Sequence, residues 1–192
     1  IAGMLDKPFR DRFKLHLHLK CYSQEESEKI VQWYFDNVDY PDTCGEIEIA
    51  QDAICAIAKR GRGNGRIISS LSERVLNGAI YKEVDNITLG FVEDVFALQG
   101  LDEIGLTDSE LQILDYLSRM DRPVGLDAIA NSIGENRKSL EDVIEPFLLQ
   151  KELIAITGSG RIITEKGESH LRDQASAQRG EIISLKNSRE GR

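Results

Sequence analysis

The stretch Leu153-Ile154-Ala155-Ile156-Thr157-Gly158-Ser159-Gly160-Arg161-Ile162-Ile163-Thr164 decides the fold class. Two runs rich in β-branched and apolar residues, 153–156 and 161–164, flank a Thr-Gly-Ser-Gly segment, which predicts a β-hairpin. Upstream of it the hydrophobic period is helical. Thr107 is placed to cap a helix bearing Leu111, Ile113, Leu114 and Leu117, and Pro123 breaks that pattern. Leu126, Ile129, Ala130 and Ile133 make a short helix ended by Gly134. Asn136 then caps a longer one with Leu140, Val143, Ile144, Phe147 and Leu148 on its inner face. Three helices followed by a hairpin is the order of a winged helix, and its third helix is the candidate to enter a nucleic-acid groove.

The first half of the chain reads differently. Lys14-Leu15-His16-Leu17-His18-Leu19-Lys20 alternates strictly, which predicts a half-buried strand with Leu15, Leu17 and Leu19 inward. Ser23 and Glu26 form a capping-box pattern ahead of a helix with Ile30, Val31, Tyr34, Phe35 and Val38 on one face, closed by a turn at Tyr40-Pro41-Asp42. Trp33, Tyr34 and Phe35 are read as core. Ile49, Ala53, Ile54 and Ile57 mark a second helix, ending in the Gly61 to Gly65 stretch. Ile67, Ile68, Leu71, Val75, Leu76 and Ile80 mark a third, and Thr88 caps a fourth with Phe91, Val92, Val95, Phe96 and Leu98. Short amphipathic helices need one another to bury their stripes, so a helical bundle is predicted over residues 23–99. From about Ala175 the periodicity fades and a disordered tail is predicted.

Composition narrows the function classes. An apolar fraction of 41% with 30% charged residues is that of a globular domain, and no apolar run approaches the roughly 20 residues of a membrane span. No membrane and a cytoplasmic location are expected. Cys21, Cys44 and Cys55 are too widely spaced for paired metal ligands, and His16 and His18 have no third ligand in reach, so no metal site is read. The net charge of −9 argues against a general polyanion binder. Residues 1–99 carry −4, residues 100–173 carry −7 and residues 174–192 carry +2, so any nucleic-acid role rests on local cationic groups. No Ser/His/Asp or Cys/His arrangement suggests nucleophilic catalysis.

Nowhere does the chain carry the glycine-rich Gly-Lys-Ser/Thr loop that cradles phosphates, yet it is rich in arginines of nucleotide-site type. The runs that matter are Pro8-Phe9-Arg10-Asp11-Arg12-Phe13, Cys21-Tyr22-Ser23, Gly61-Arg62-Gly63-Asn64-Gly65-Arg66, Gly100-Leu101-Asp102-Glu103-Ile104-Gly105-Leu106, Pro123-Val124-Gly125-Leu126-Asp127 and Ser139-Leu140-Glu141-Asp142-Val143-Ile144-Glu145-Pro146-Phe147-Leu148. In this order they resemble the RuvB family of bacterial Holliday-junction branch-migration motors, over nearly all of residues 1–172. The resemblance implies a mainly α architecture. Residues 1–22 are the edge of an AAA+ ATPase core, 23–102 a four-helix AAA+ lid, 103–173 a winged helix with a small hairpin wing, and 174–192 the tail. The chain opens on Ile rather than Met, and the ATPase core is expected ahead of it, so the chain alone is predicted to be inactive as an ATPase.

By the same resemblance Arg10 is the arginine finger that reaches a neighbouring subunit's ATP, while Arg12 and Tyr22 line the subunit's own nucleotide. Arg66 is the sensor arginine at the start of a lid helix, where free amides and a positive dipole end suit phosphate detection. Family members commonly have Gly-Thr-Pro-Arg there, and this chain has Gly-Asn-Gly-Arg. The family's DNA-contacting arginines fall on Arg137, Ile156 and Arg161, so one of the three is lost. The cofactors implied are ATP and magnesium in the intact protein and none for this segment alone. The partners implied are duplex DNA or the Holliday junction, sister subunits of a hexameric ring, and RuvA through the core. Two other classes stay open: an acidic winged helix acting as a protein-interaction adaptor, and the lid and winged helix of a replication-initiation ATPase.

Overall fold

The computed structural model describes Pro8 and residues 12–15, 19–39 and 47–176, and divides into two compact units, Ile1–Val95 and Phe96–Arg192. Arg10, His16, Leu17, His18, Cys44 and residues 177–192 lie outside the described residues.

The first unit is built on α1 (Gln24–Asn37), α2 (Gln51–Arg60), α3 (Gly65–Tyr81) and α4 (Leu89–Ala97). Ser23 caps α1 reciprocally with Glu26, as the spacing predicted. The inner face of α1 is Ser27, Val31 and Phe35, one residue per turn, which leaves Trp33 63% exposed instead of in the core. Helical phase explains this, because Trp33 sits about 200° around the axis from Val31. Nearly every turn of α2 is buried, since Ala53, Ala56 and Ala58 let neighbouring backbones approach Ile54 and Ile57 closely. Ile68, Leu71, Ser72, Val75, Leu76 and Ala79 form the long stripe of α3. Two-residue strands β1 (Glu48–Ile49) and β2 (Asn86–Ile87) pair in parallel and pin the fully buried Ile87. Elements this short carry no period in the sequence. Leu15 and Leu19 are 71% and 89% exposed, and neither is in a strand, because no partner strand flanks them among the described residues.

The second unit is a winged helix. Its helices are α5 (Asp108–Ser118), α6 (Leu126–Ile133) and α7 (residues 137–150), and its wing is β3 (Ile154–Thr157) paired antiparallel with β4 (Gly160–Ile163). The wing turn is two residues tighter than the sequence pattern suggested, and Val124 adds a further bridge to Arg161 on β4. Gly160 makes that approach possible: a Cβ there would lie 2.5 Å from the Val124 carbonyl oxygen.

Helix α7 is not regular. Arg137–Ser139 is α-helical, Leu140–Ile144 is one π-helical turn, and Glu145–Gln150 resumes the α form. The Glu145 amide donates to the Leu140 carbonyl, so Glu145 stacks beneath the buried Leu140 and itself becomes buried. The same turn swings Val143 outward to 65% exposure, correcting its place on the predicted inner face. An eighth helix, α8 (residues 165–176), follows the wing and runs through Gln174 to Ser176, where the composition predicted the tail to begin. His170 on α8 is buried and bonds through Nε2 to Asp102 Oδ2 at 2.7 Å. Asp102 Oδ1 accepts the amides of Ile104 (2.9 Å) and Leu106 (2.7 Å).

Asp102 therefore satisfies two backbone donors and an imidazole out of water. Asp102→Ala should lower stability by roughly 2–4 kcal/mol, since buried donors left unpaired incur their full desolvation cost. Asp102→Asn, which keeps one acceptor, should lose less. Urea denaturation followed by circular dichroism checks this; an unchanged midpoint in Asp102→Ala contradicts it.

Candidate nucleotide-sensing turn and nucleic-acid interface

The glycine turn that joins α2 to α3 collects two of the residues expected to handle nucleotide. Arg62 and Gly63 both take positive φ (55° and 66°), which bends the chain back after Gly61. The Tyr22 amide donates to the Gly63 carbonyl at 2.8 Å, and a Cβ on Gly63 would lie 2.6 Å from the Tyr22 carbonyl oxygen. Tyr22 also packs its ring edge against Gly65, where a Cβ would meet Tyr22 Cε2 at 3.3 Å. A side chain at this position would press on the ring by a few tenths of an ångström. Arg66 follows in the first turn of α3, exposed, so a half-exposed phenol and an exposed guanidinium share one turn. Arg12 is exposed on the preceding stretch, and Arg10 lies outside the described residues.

One expectation needs correction. Two of the first amides of α3 are already taken, because Asn64 Oδ1 accepts from Arg66 N (3.0 Å) and Ile67 N (3.5 Å). The Arg66 guanidinium, by contrast, is exposed at this turn. Behind the turn, Arg60 is 2% exposed, donates to the Ala56 carbonyl and forms an ion pair with Glu93 on α4. Sequence reading passed over Arg60, since an arginine at a helix end reads as solvated charge. Cys55 on α2 is no nucleophile candidate: desolvation, and then the neighbouring Glu28, hold its thiol pKa above the ordinary value.

In the winged helix both candidate DNA arginines are already paired, and in unlike ways. Arg137, in the first turn of α7, donates through Nη1 to both oxygens of Asp127 on α6, at 2.8 and 2.7 Å. That pair stands in water, 57% and 69% exposed. Arg161 on β4 aims a fork at Glu145, Nε to Oε1 at 2.8 Å and Nη2 to Oε2 at 3.0 Å, with side chains only 20% and 7% exposed. Ile156, which takes the place of the third arginine, is 55% exposed and sits across the ladder from Arg161. Glu141 and Asp142 are exposed on the same helix as Arg137 and Lys138. No group of His, Cys, Asp and Glu that could hold a metal occurs among the described residues, and none of their helices is long and apolar enough to cross a membrane.

Residues 103–172 match the family of the RuvB C-terminal winged helix domain. The Holliday junction branch migration complex subunit RuvB of Fervidobacterium nodosum is 37% identical over 172 residues, covering 88% of this chain and 48% of that protein. The subunit of the same name from Ehrlichia ruminantium is 30% identical, covering 90% of this chain and 50% of its own length. Among solved structures, the Thermotoga maritima RuvB Holliday junction branch migration motor superposes with a TM-score of 0.77 at 34% identity, over 89% of this chain and 56% of that one. The chain spans about half the length of the relatives it matches.

The unlike burial of the two pairs has a measurable consequence. Glu145→Ala strands a mostly buried guanidinium and should cost roughly 3–4 kcal/mol, the lower part of the range for broken buried pairs because Arg161 keeps some exposure. Asp127→Ala opens a solvent-exposed pair and should cost under about 1 kcal/mol. Equal losses in thermal or urea unfolding would contradict the assignment of one pair as structural and the other as superficial.

Proposed function

We propose, from the premise that residues 103–172 are a winged-helix domain of the RuvB C-terminal family, that this chain is the lid and duplex-holding part of an ATP-driven motor for Holliday junction branch migration in recombination and repair. The observation that carries the reading is the convergence of Tyr22 and Arg66 on one glycine turn, in the same chain as a winged helix. An aromatic ring beside a guanidinium suits a nucleotide, the ring for the base and the cation for phosphate. ATP with magnesium, held on a core that supplies the phosphate cradle, provides the phosphoryl transfer that drives the motion.

The roles then follow residue by residue. Arg10 stabilises charge on the nucleotide of a neighbouring subunit, so the working form is a ring, expected to be hexameric. Arg12 and Tyr22 flank the subunit's own nucleotide. Arg66 reads its phosphates through the guanidinium, the nearby amides being taken by Asn64. The ion pair of Arg60 with Glu93 carries a shift of the turn to α4. The winged helix holds a duplex arm through cationic groups; of the two arginines expected there, Arg137 is the solvent-exposed one and Arg161 is committed to Glu145, and phosphate contacts position DNA without reading its sequence. A junction-binding partner of the RuvA type would meet the core. The setting is the bacterial cytoplasm.

A second reading has one observation in its favour. Both arginines are paired with carboxylates, and Glu141 and Asp142 are exposed on α7, which suits a winged helix that docks a basic protein. Absence of salt-sensitive duplex binding would favour it.

In the motor that carries the ATPase core, Arg66→Ala should weaken the nucleotide response of its own subunit. Arg10→Ala subunits should bind ATP yet hydrolyse it poorly. Mixing them with subunits defective only in the phosphate loop should restore part of the ATPase rate. If no mixing ratio restores any, the cross-subunit role of Arg10 is wrong.

A further inference from the structure

The two arginine pairs of the winged helix are not interchangeable, and the difference lies in geometry as well as in burial. Arg137 meets Asp127 through Nη1 alone, and both side chains stand in solvent. Arg161 spends the Nε/Nη2 edge of its guanidinium on Glu145. Its backbone is also fixed, since its amide donates to the Val124 carbonyl at 2.8 Å and its carbonyl accepts the Val124 amide at 2.9 Å. Glu145 in turn is held inward by the π turn of α7. Taking Arg161 from Glu145 would bare a buried carboxylate, whereas taking Arg137 from Asp127 exchanges one solvated anion for another.

We propose that Asp127 sets the DNA affinity of this domain: it occupies Arg137 when no duplex is bound and yields it to a backbone phosphate, while Arg161 is a positioning residue that braces the wing against α7. The proposal rests on the reading that the winged helix holds duplex DNA. Asp127 lies in the first turn of α6 and Arg137 in the first turn of α7, on either side of Gly134. An incoming phosphate meets the Asp127 carboxylate as a competitor for the guanidinium and as a like charge. Among the nearby exposed residues, Lys138 adds attraction and Glu141 and Asp142 add repulsion, so the Arg137 exchange takes place against a net negative surround.

The test is binding of the full 192-residue chain to a short labelled duplex across a salt titration. Asp127→Asn should bind two- to fivefold tighter at low salt, the span a solvent-exposed ion pair represents. Arg137→Ala should weaken binding and flatten the slope of log affinity against log salt by about 0.9, one phosphate contact. Asp127→Asn with Arg137→Ala should lose the gain. For the wing, Glu145→Gln with Arg161→Gln replaces the ion pair by a neutral hydrogen-bonded pair of similar size, and with folding verified by circular dichroism it should keep the parent's salt slope. If Arg137→Ala weakens binding but Asp127→Asn does not strengthen it, the exchange is overturned while DNA holding stands. If Arg137→Ala binds as the parent does, Arg137 is no phosphate contact and the exchange is overturned; if the parent itself binds no duplex at low salt, the DNA reading falls with it. A slope flattened by about 0.9 in the double glutamine variant would make Arg161 a phosphate contact and overturn its role as a brace.

Discussion

The winged helix depends on one buried ion pair, Glu145 with Arg161. Removing a carboxylate and a guanidinium from water is tolerable only when each finds the other with good geometry, and here both oxygens of Glu145 are taken by two nitrogens of Arg161. That requirement reaches back along the chain. A regular helix would turn Glu145 away from the buried line of Leu140, Ile144 and Leu148; one π turn adds a residue and sets Glu145 directly below Leu140. It reaches forward as well, because β4 must hold Arg161 at a fixed height, and the mutual backbone bonds with Val124 do so only because Gly160 lets the strands come close. Helix α7 and the wing are thereby tied together through Arg161.

The first unit shows the same economy of charge. Arg60, at the end of α2, turns inward to Glu93, and the chain then enters the Gly61 to Arg66 turn on which Tyr22 rests. A buried cation, Arg60, thus lies behind the turn and an exposed one, Arg66, lies on it. Asn64 caps α3 by accepting from the Arg66 and Ile67 amides, and the Arg66 side chain stays exposed. In both units an arginine has a specific place set by its carboxylate, Arg60 by Glu93 and Arg161 by Glu145.

Much of this was legible in the sequence, and the reasons for the rest are physical. Capping boxes at Ser23 and Thr107, the cap at Asn136 and the stop at Gly134 are local signals, and the helices begin and end where those residues put them. The hairpin was legible from its β-branched runs. Trp33 and Val143 were misread as core because a hydrophobic residue near a stripe looks like part of it until the helical phase is known, and for Val143 the phase changes at a π turn that no residue announces. The parallel pairing of β1 with β2 is two residues long, too short for any period. Helix α8 went unread, the residues up to 173 being placed in the winged helix without an element of their own, although its His170 closes onto Asp102 from 68 positions away. Of the candidate site, the sequence named the arginines but not the carboxylates that hold them, since Asp127 and Glu145 lie 10 and 16 positions from their partners and pairing at that distance is a product of the fold.

The account's central claim is that the winged helix holds a duplex by its phosphates and reads no sequence. The most direct measurement is the dissociation constant of the 192-residue chain for several unrelated duplexes of equal length at one low salt concentration. Phosphate holding gives constants that agree within about twofold across the set, because every duplex presents the same charged backbone. A marked preference for one sequence would show bases being read, and no binding to any duplex would turn the acidic winged helix into a protein-docking surface; either result contradicts the claim.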